Sequence, residues 1–326
     1  MGKIFTADIG GTNSRFALFE IAEDRNLSLA GTQWLKTTES SSFHDLLSRL
    51  KKTGFNLSPS DIDIAVFAVA GPVENGARSS PPFISWDIDV SVAKKDTGIA
   101  RCMLINDFVA QAYACLSSVG KSAIPILPGQ AVPDGTIGVI GAGTALGKAV
   151  LVPDGRGGHV AMPSEGGHTN FPFASGREFE FHGFMKHELG DTYITANRVV
   201  SGKGLALIHQ FLAGEKLAPN EVAGKLSQHP ETLAWASRFY ARACRNFALE
   251  ILSTGGLYIA GGVAANTPQL VNSKIFADEF RSSDTLLHLL AKIPLYLITD
   301  QNAGLWGSAV LGAQTLKRRQ RLNSSV

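Results

Sequence analysis

Cysteine is scarce in this chain, and its spacing excludes two classes of protein. Cys102, Cys115 and Cys244 are the only three in 326 residues, an odd and scattered set that builds neither a disulfide framework nor a zinc motif. A reducing compartment is expected. Charge of one sign is also lacking, because a net +2 is too small to draw a nucleic acid. The one basic cluster, Lys317-Arg318-Arg319-Gln320-Arg321, reads as a solvated helix end whose cations suit the helix dipole. No run of about 18 apolar residues is present to span a membrane, and no charged-then-apolar leader precedes the strand expected from Lys3. The expectation is a cytoplasmic protein with no nucleic-acid and no membrane partner.

Glycine is what the chain has in quantity, 34 residues against 14 prolines, which points to many tight turns and close backbone approaches. The 44% of hydrophobic residues over this length supports large cores and about two domains. The stretch Lys3 to Phe19 joins two β-rich runs through Asp8-Ile9-Gly10-Gly11-Thr12-Asn13-Ser14. Gly10 and Gly11 let a phosphate approach main-chain N–H groups, and Thr12, Asn13 and Ser14 add side-chain donors. Asp8 would repel a bare phosphate, so a divalent cation between them is implied. The plainer alternative is a hairpin turn whose Asp and Asn satisfy local backbone groups.

Along the chain, Arg25 to Thr38 completes a small meander, and Ser41 to Thr53 reads as a helix with Phe43, Leu46, Leu47 and Leu50 on one face. Ile62 to Ala70 is a buried strand ended by Gly71-Pro72, and Pro81-Pro82 forbids helix before Trp86. Met103-Leu104-Ile105 is a short strand that stops at Asn106-Asp107, ahead of a helix over Phe108 to Val119. That strand-to-helix step is where open α/β sheets meet ligands. The run Thr136 to Val152 repeats the opening design around Gly141 to Gly147. Setting Gly11-Thr12 on Gly143-Thr144 places Ala17 on Ala149 and Phe19 on Leu151, an internal similarity that suggests two related halves. The rest turns helical, with a core stripe of Ala236, Phe239, Tyr240, Ala243, Phe247 and Ile251. A third strand ends at Gly261-Gly262, a last strand covers Leu295 to Ile298, and a last helix covers Ala303 to Leu316.

Three strand-to-glycine turns, two of them hairpin cradles and one able to accept a flat base, suit ATP. A Rossmann fingerprint fails because Gly141-Gly143-Gly147 has one residue too many and runs into a strand. A P-loop fails because Ala149 offers no hydroxyl for magnesium and no helix follows.

Taken together, Asp8-Ile9-Gly10-Gly11-Thr12-Asn13 with Arg15, Ile105-Asn106-Asp107-Phe108, Gly143-Thr144 to Gly147, Glu165-Gly166-Gly167-His168, Glu188-Leu189-Gly190 and Ile259-Ala260-Gly261-Gly262 resemble the bacterial glucokinase family over essentially the whole chain. The resemblance implies the two-domain actin-like ATPase fold, hexokinase-like and ribonuclease H-like, with duplicated mixed sheets around a central cleft. The small α/β domain is expected over 1–107 plus 304–326 and the large one over 108–303. It also sets the chain apart from the repressor-and-sugar-kinase relatives, whose cysteine-rich zinc motif is missing.

By position, the resemblance makes Asp107 the catalytic base and gives sugar contacts to Asn106, Asp107, Glu165, His168 and Glu188. Carboxylates that each accept two hydroxyl hydrogen bonds, with one His and one Asn, suit a hexose. Nucleotide contacts fall on Asp8, Gly10, Gly11, Thr12, Asn13, Gly143, Thr144, Gly261 and Gly262, with Asp8 holding Mg2+ through water. The implied partners are glucose and ATP, and the implied assembly is a homodimer. Ala145 stands where the family usually has glycine, and Pro82-Phe83 where it often has Thr-Asn. Within enzymes the alternative is another hexose or amino-hexose as acceptor; outside them it is a non-catalytic sugar sensor on the same fold.

Overall fold

The computed structural model describes residues 2–22, 26–55 and 57–323. Arg25 of the expected meander and the side chain of Arg321 lie outside the described residues. The chain divides into two compact units, one formed by residues 1–122 and 300–326 and the other by 123–299.

The first unit is built on strands β1 (Gly2–Ile9), β2 (Asn13–Ile21), β3 (Leu27–Lys36), β4 (Ile64–Val69), the short pair β5 (Arg78–Ser79) and β6 (Ile88–Asp89), and β7 (Cys102–Asn106). Five of them form a sheet in the order β3-β2-β1-β4-β7. β1 and β2 are an antiparallel hairpin, whereas β4 and β7 run parallel to β1. The interior β4 is buried at every residue from Ile64 to Val69, as an unbroken apolar run requires when a strand is covered on both faces. The helix Phe43–Lys52 starts where the Ser42 hydroxyl accepts the Asp45 N–H, and it buries Phe43, Leu46, Leu47 and Leu50. That is the face expected from its spacing.

The second unit carries β8 (Ile124–Leu127), β9 (Ile137–Ala142), β10 (Leu146–Pro153), β11 (His159–Ser164), β12 (Gly256–Ala260) and β13 (Leu295–Leu297). Their order is β11-β10-β9-β12-β13-β8, with β9 and β10 antiparallel and β12 parallel to β9. Leaving out β8, the order and strand directions repeat those of the first sheet. The weak repeat seen in the sequence sits on matching rungs. Ala17 pairs Thr6 three residues beyond the Ile9–Ser14 closure, and Ala149 pairs Val139 three residues beyond the Ala142–Leu146 closure. The helix Pro230–Ile251 buries Ala236, Phe239, Tyr240, Ala243 and Phe247 against this sheet, leaving only Ile251 of the expected stripe half-buried.

Two expectations shift. The division falls at 122/123 and 299/300 rather than at 107/108 and 303/304, because the helix Asp107–Ala114 packs on the last helix, Ala303–Asn323, and stays with the first sheet. The helix expected over Phe108 to Val119 ends at Ala114, where the Ser117 hydroxyl donates to the Ala114 carbonyl and then caps a separate turn, Ser118–Lys121. The two helices touch through Gly307, where a Cβ would lie 1.7 Å from the Ala110 carbonyl oxygen. Gly307→Ala must force them apart and is expected to cost at least about 1–3 kcal/mol, read as a lower unfolding midpoint in urea. Among the described residues no helix is long and apolar enough to cross a membrane.

Candidate active site

In the first unit the β1–β2 turn closes on itself: the Gly10 N–H donates to the Asn13 carbonyl at 3.0 Å. A hydrogen bond from the Thr37 N–H to the Thr12 carbonyl (2.9 Å) and a Ser14–Thr37 hydroxyl contact (2.7 Å) fasten the turn to β3. Gly10 therefore spends its own donor on the turn. Among the described residues no backbone carbonyl takes the N–H of Gly11 or Thr12, which leaves these two for an anion. Gly11 also permits a close approach, since a Cβ there would lie 2.9 Å from Cβ of Phe83 and 3.0 Å from its carbonyl oxygen.

Asp8 ends β1 beneath that turn. Its Oδ2 receives Arg15 Nη1 at 3.1 Å, and the Arg15 guanidinium stacks over Trp34 at 4.5 Å. Burial pushes the Asp8 carboxyl above its ordinary range, with Arg15 opposing the shift. A cation supplied with a ligand would act in the same direction as Arg15. Gly304, in the first turn of the last helix, leaves room beside Asp8, because a Cβ there would stand 3.1 Å from Oδ2.

The β7-to-helix step is built by Asn106. Its Oδ1 accepts the N–H groups of Phe108 (2.9 Å) and Val109 (3.3 Å), and its Nδ2 donates to the Gly71 carbonyl (3.1 Å). Asn106, not Asp107, is the cap. Most of its hydrogen-bonding capacity is structural, and one amide hydrogen remains for a ligand. Asp107 is the first helical residue; it is half-buried and its Oδ1 accepts the Phe108 N–H at 3.0 Å.

The second unit repeats the turn. The Gly143 N–H donates to the Ala145 carbonyl at 2.9 Å, and among the described residues no backbone carbonyl takes the N–H of Thr144 or Ala145. Gly261, with φ +87°, packs on the end of β9, where a Cβ would lie 2.6 Å from the Ala142 carbonyl oxygen. Gly262 opens the short helix Gly262–Asn266. The third glycine turn therefore adjoins the second glycine hairpin.

Glu165 and His168 bracket one 3-10 turn, with the His168 N–H on the Glu165 carbonyl (2.9 Å) and the two side chains 3.7 Å apart, both exposed. Gly166 lies over the buried Lys148, whose Nζ would be 3.3 Å from a Cβ at that position. Burial lowers the Lys148 pKa, and Glu250 opposes this. Gly167 seats the turn on the β9–β10 hairpin, since a Cβ there would stand 2.1 Å from the Leu146 carbonyl oxygen. The structure thus brings Glu165 and His168 to the second loop. Glu188 is placed otherwise: its partners are Gln210 (3.2 Å), Lys216 (3.8 Å) and His187 (3.8 Å), none of which belongs to the loop or the turn.

Two residues that sequence reasoning missed serve the second loop, Asn197 and Tyr240. Asn197 Oδ1 accepts the Leu146 N–H at 2.7 Å, and the Tyr240 hydroxyl accepts the Ala142 N–H at 3.1 Å. Neither had a signal of its own, because Asn197 lies in a helix of only four residues, Ala196–Val199, and Tyr240 sits in a core stripe.

A duplicated sheet with a glycine hairpin in each copy, an acid at a strand-to-helix step and a carboxylate-histidine turn define a sugar kinase of the actin-like ATPase fold. The comparisons narrow this. The Glucokinase family model matches residues 5–315. The glucokinase of Nostoc punctiforme is 31% identical over 350 residues, covering 96% of this chain and 100% of that protein. The glucokinase structure from an Antarctic psychrotroph superposes with a TM-score of 0.81 at 25% identity, covering 95% of this chain and 98% of that one. That of Balamuthia mandrillaris glucokinase in complex with glucose gives 0.77 at 20% identity, covering 96% and 94%. The chain belongs to the glucokinase family.

Proposed function

We propose that this protein transfers the γ-phosphoryl group of ATP to the 6-hydroxyl of glucose. The observation that carries the reading is the repeated hairpin whose first amide closes the turn and whose next two, at Gly11 and Thr12 and at Thr144 and Ala145, are left for phosphate oxygens. Asp107 accepts the proton of the 6-hydroxyl as that oxygen attacks phosphorus. The bond between the γ-phosphorus and the β–γ bridging oxygen breaks, and ADP leaves. The phosphoryl transition state is loose, so Asp107 takes the proton late and alignment by the loops supplies most of the acceleration.

Asn106, Glu165 and His168 orient the sugar by hydrogen bonds to its hydroxyls. Glu188, given the same role by resemblance, would be a further sugar ligand.

The residues present fit magnesium. Asp8 is a largely buried carboxylate whose charge is opposed only in part by Arg15. Among the described residues no group of three or more His, Cys, Asp or Glu could hold a metal ion. An ion would therefore rely on water-mediated contact with Asp8 and on the nucleotide, the usual arrangement for Mg2+. Bound there, it would neutralise charge on the phosphates. A cytoplasmic homodimer completes the proposal, supported by family resemblance.

A coupled assay of ADP release across glucose, mannose, fructose and glucosamine tests the acceptor. Glucose is expected to give the highest kcat/KM, and glucosamine as the best substrate would reassign the protein to the amino-hexose alternative. ADP release that no sugar stimulates would favour the silent sensor.

A further inference from the structure

The second phosphate loop is fastened at three points, and one of them also touches the turn that carries Glu165 and His168. The Tyr240 hydroxyl holds the Ala142 N–H just before the loop. The Gly202 N–H reaches the Gly143 carbonyl at 3.1 Å. Asn197 Oδ1 holds the Leu146 N–H just after it. That same Oδ1 would be only 2.5 Å from a Cβ on Gly167, so one carboxamide oxygen is wedged between the loop's exit and the backbone of the turn.

The short helix that carries it, Ala196–Val199, is tied to the same turn by the Ala196 N–H on the Thr169 carbonyl at 2.9 Å. Among the described residues no hydrogen bond joins Tyr240 to the turn. Displacing Gly167 must displace Asn197, and with it the amide that ends the phosphate loop.

We propose that Asn197 is a positioning residue that couples the hexose turn to the phosphate loop, so that a sugar on one tightens a nucleotide on the other. This rests on the functional reading above. By linkage the effect is reciprocal, with nucleotide tightening sugar by the same factor. A neutral carboxamide suits the task, since it accepts from Leu146 without setting a negative charge beside the phosphates.

The test is titration of the full-length protein with a non-hydrolysable ATP analogue, with and without saturating glucose. In the wild type, glucose is expected to tighten the analogue by about 5-fold or more. Asn197→Leu removes the acceptor at similar volume, and the ratio should fall to within about twofold of one while each ligand still binds alone. Asn197→Asp restores an acceptor, so the ratio should return although the added charge weakens the analogue in both conditions. Tyr240→Phe should weaken the analogue and leave the ratio unchanged, as befits a contact with the loop alone.

Should Asn197→Leu fail to fold, Asn197→Ala takes its place in the same comparison. A wild-type ratio retained in the Leu or Ala variant overturns the proposal, as does a wild type that binds both ligands with no ratio. A wild type that binds no hexose overturns the functional reading itself.

Discussion

Asp107→Asn is expected to lower kcat by about 10²–10⁴-fold, the range a positioned general base contributes, with the KM for glucose close to its wild-type value. Asparagine has the same shape and still offers an oxygen to the Phe108 N–H, the 3.0 Å contact that Asp107 Oδ1 makes. The helix start survives in any case, because Asn106 caps it through Phe108 and Val109. What the variant lacks is an acceptor for the 6-hydroxyl proton. A fall confined to kcat would mark an interaction made as the bond forms, whereas a rise confined to KM would reduce Asp107 to a sugar ligand. Equal turnover in the two proteins would remove it from the mechanism.

The parts legible in the sequence are those in which chemistry and geometry share a short stretch. Gly10-Gly11-Thr12 and Gly143-Thr144 announce turns because glycine takes backbone angles closed to other residues. The Ile105-Asn106-Asp107 step is readable because an apolar run stops at two polar residues. What is illegible depends on contacts remote in sequence. Asn197 and Leu146 are separated by 51 positions, and nothing local in Thr195-Ala196-Asn197 points to a phosphate loop. The edge strand β11 hides because Val160, Met162 and Pro163 are exposed, so its alternation is blurred.

The helix Gly176–Leu189 also escapes notice, because Phe181 is buried while Phe179 is 57% exposed, and no clean apolar stripe results. The Glu188 carboxylate meets Gln210 and Lys216, a relation set by how the helix Gly176–Leu189 meets Gly202–Ala213 and the segment after it.

Arg242→Ala is expected to destabilise the second unit by about 3–5 kcal/mol, the usual effect of removing one partner from a buried ion pair. Arg242 is 4% exposed and Glu178 3%. The guanidinium donates to both Glu178 oxygens, at 2.6 and 3.1 Å, to Glu279 at 2.8 Å and to the Pro172 carbonyl at 2.9 Å. It thereby ties the helices Gly176–Leu189 and Lys274–Phe280 to Pro230–Ile251. Burial alone would raise the Glu178 carboxyl, but hydrogen bonds from Arg242 and the Ala174 N–H outweigh it and hold the group below its ordinary value. A carboxylate so depressed adds stability that is present above its unfolded pKa and is lost as pH falls through the folded one. Without Arg242 only the Ala174 N–H and the Arg238 charge oppose burial, and the carboxyl of Glu178 moves upward. The variant's deficit should therefore be largest near neutral pH and shrink as the medium becomes acidic enough to protonate Glu178. Urea unfolding of wild type and variant across that range measures the deficit directly. One that stays constant with pH would mean that the loss is one of packing and of the Pro172 contact rather than of charge.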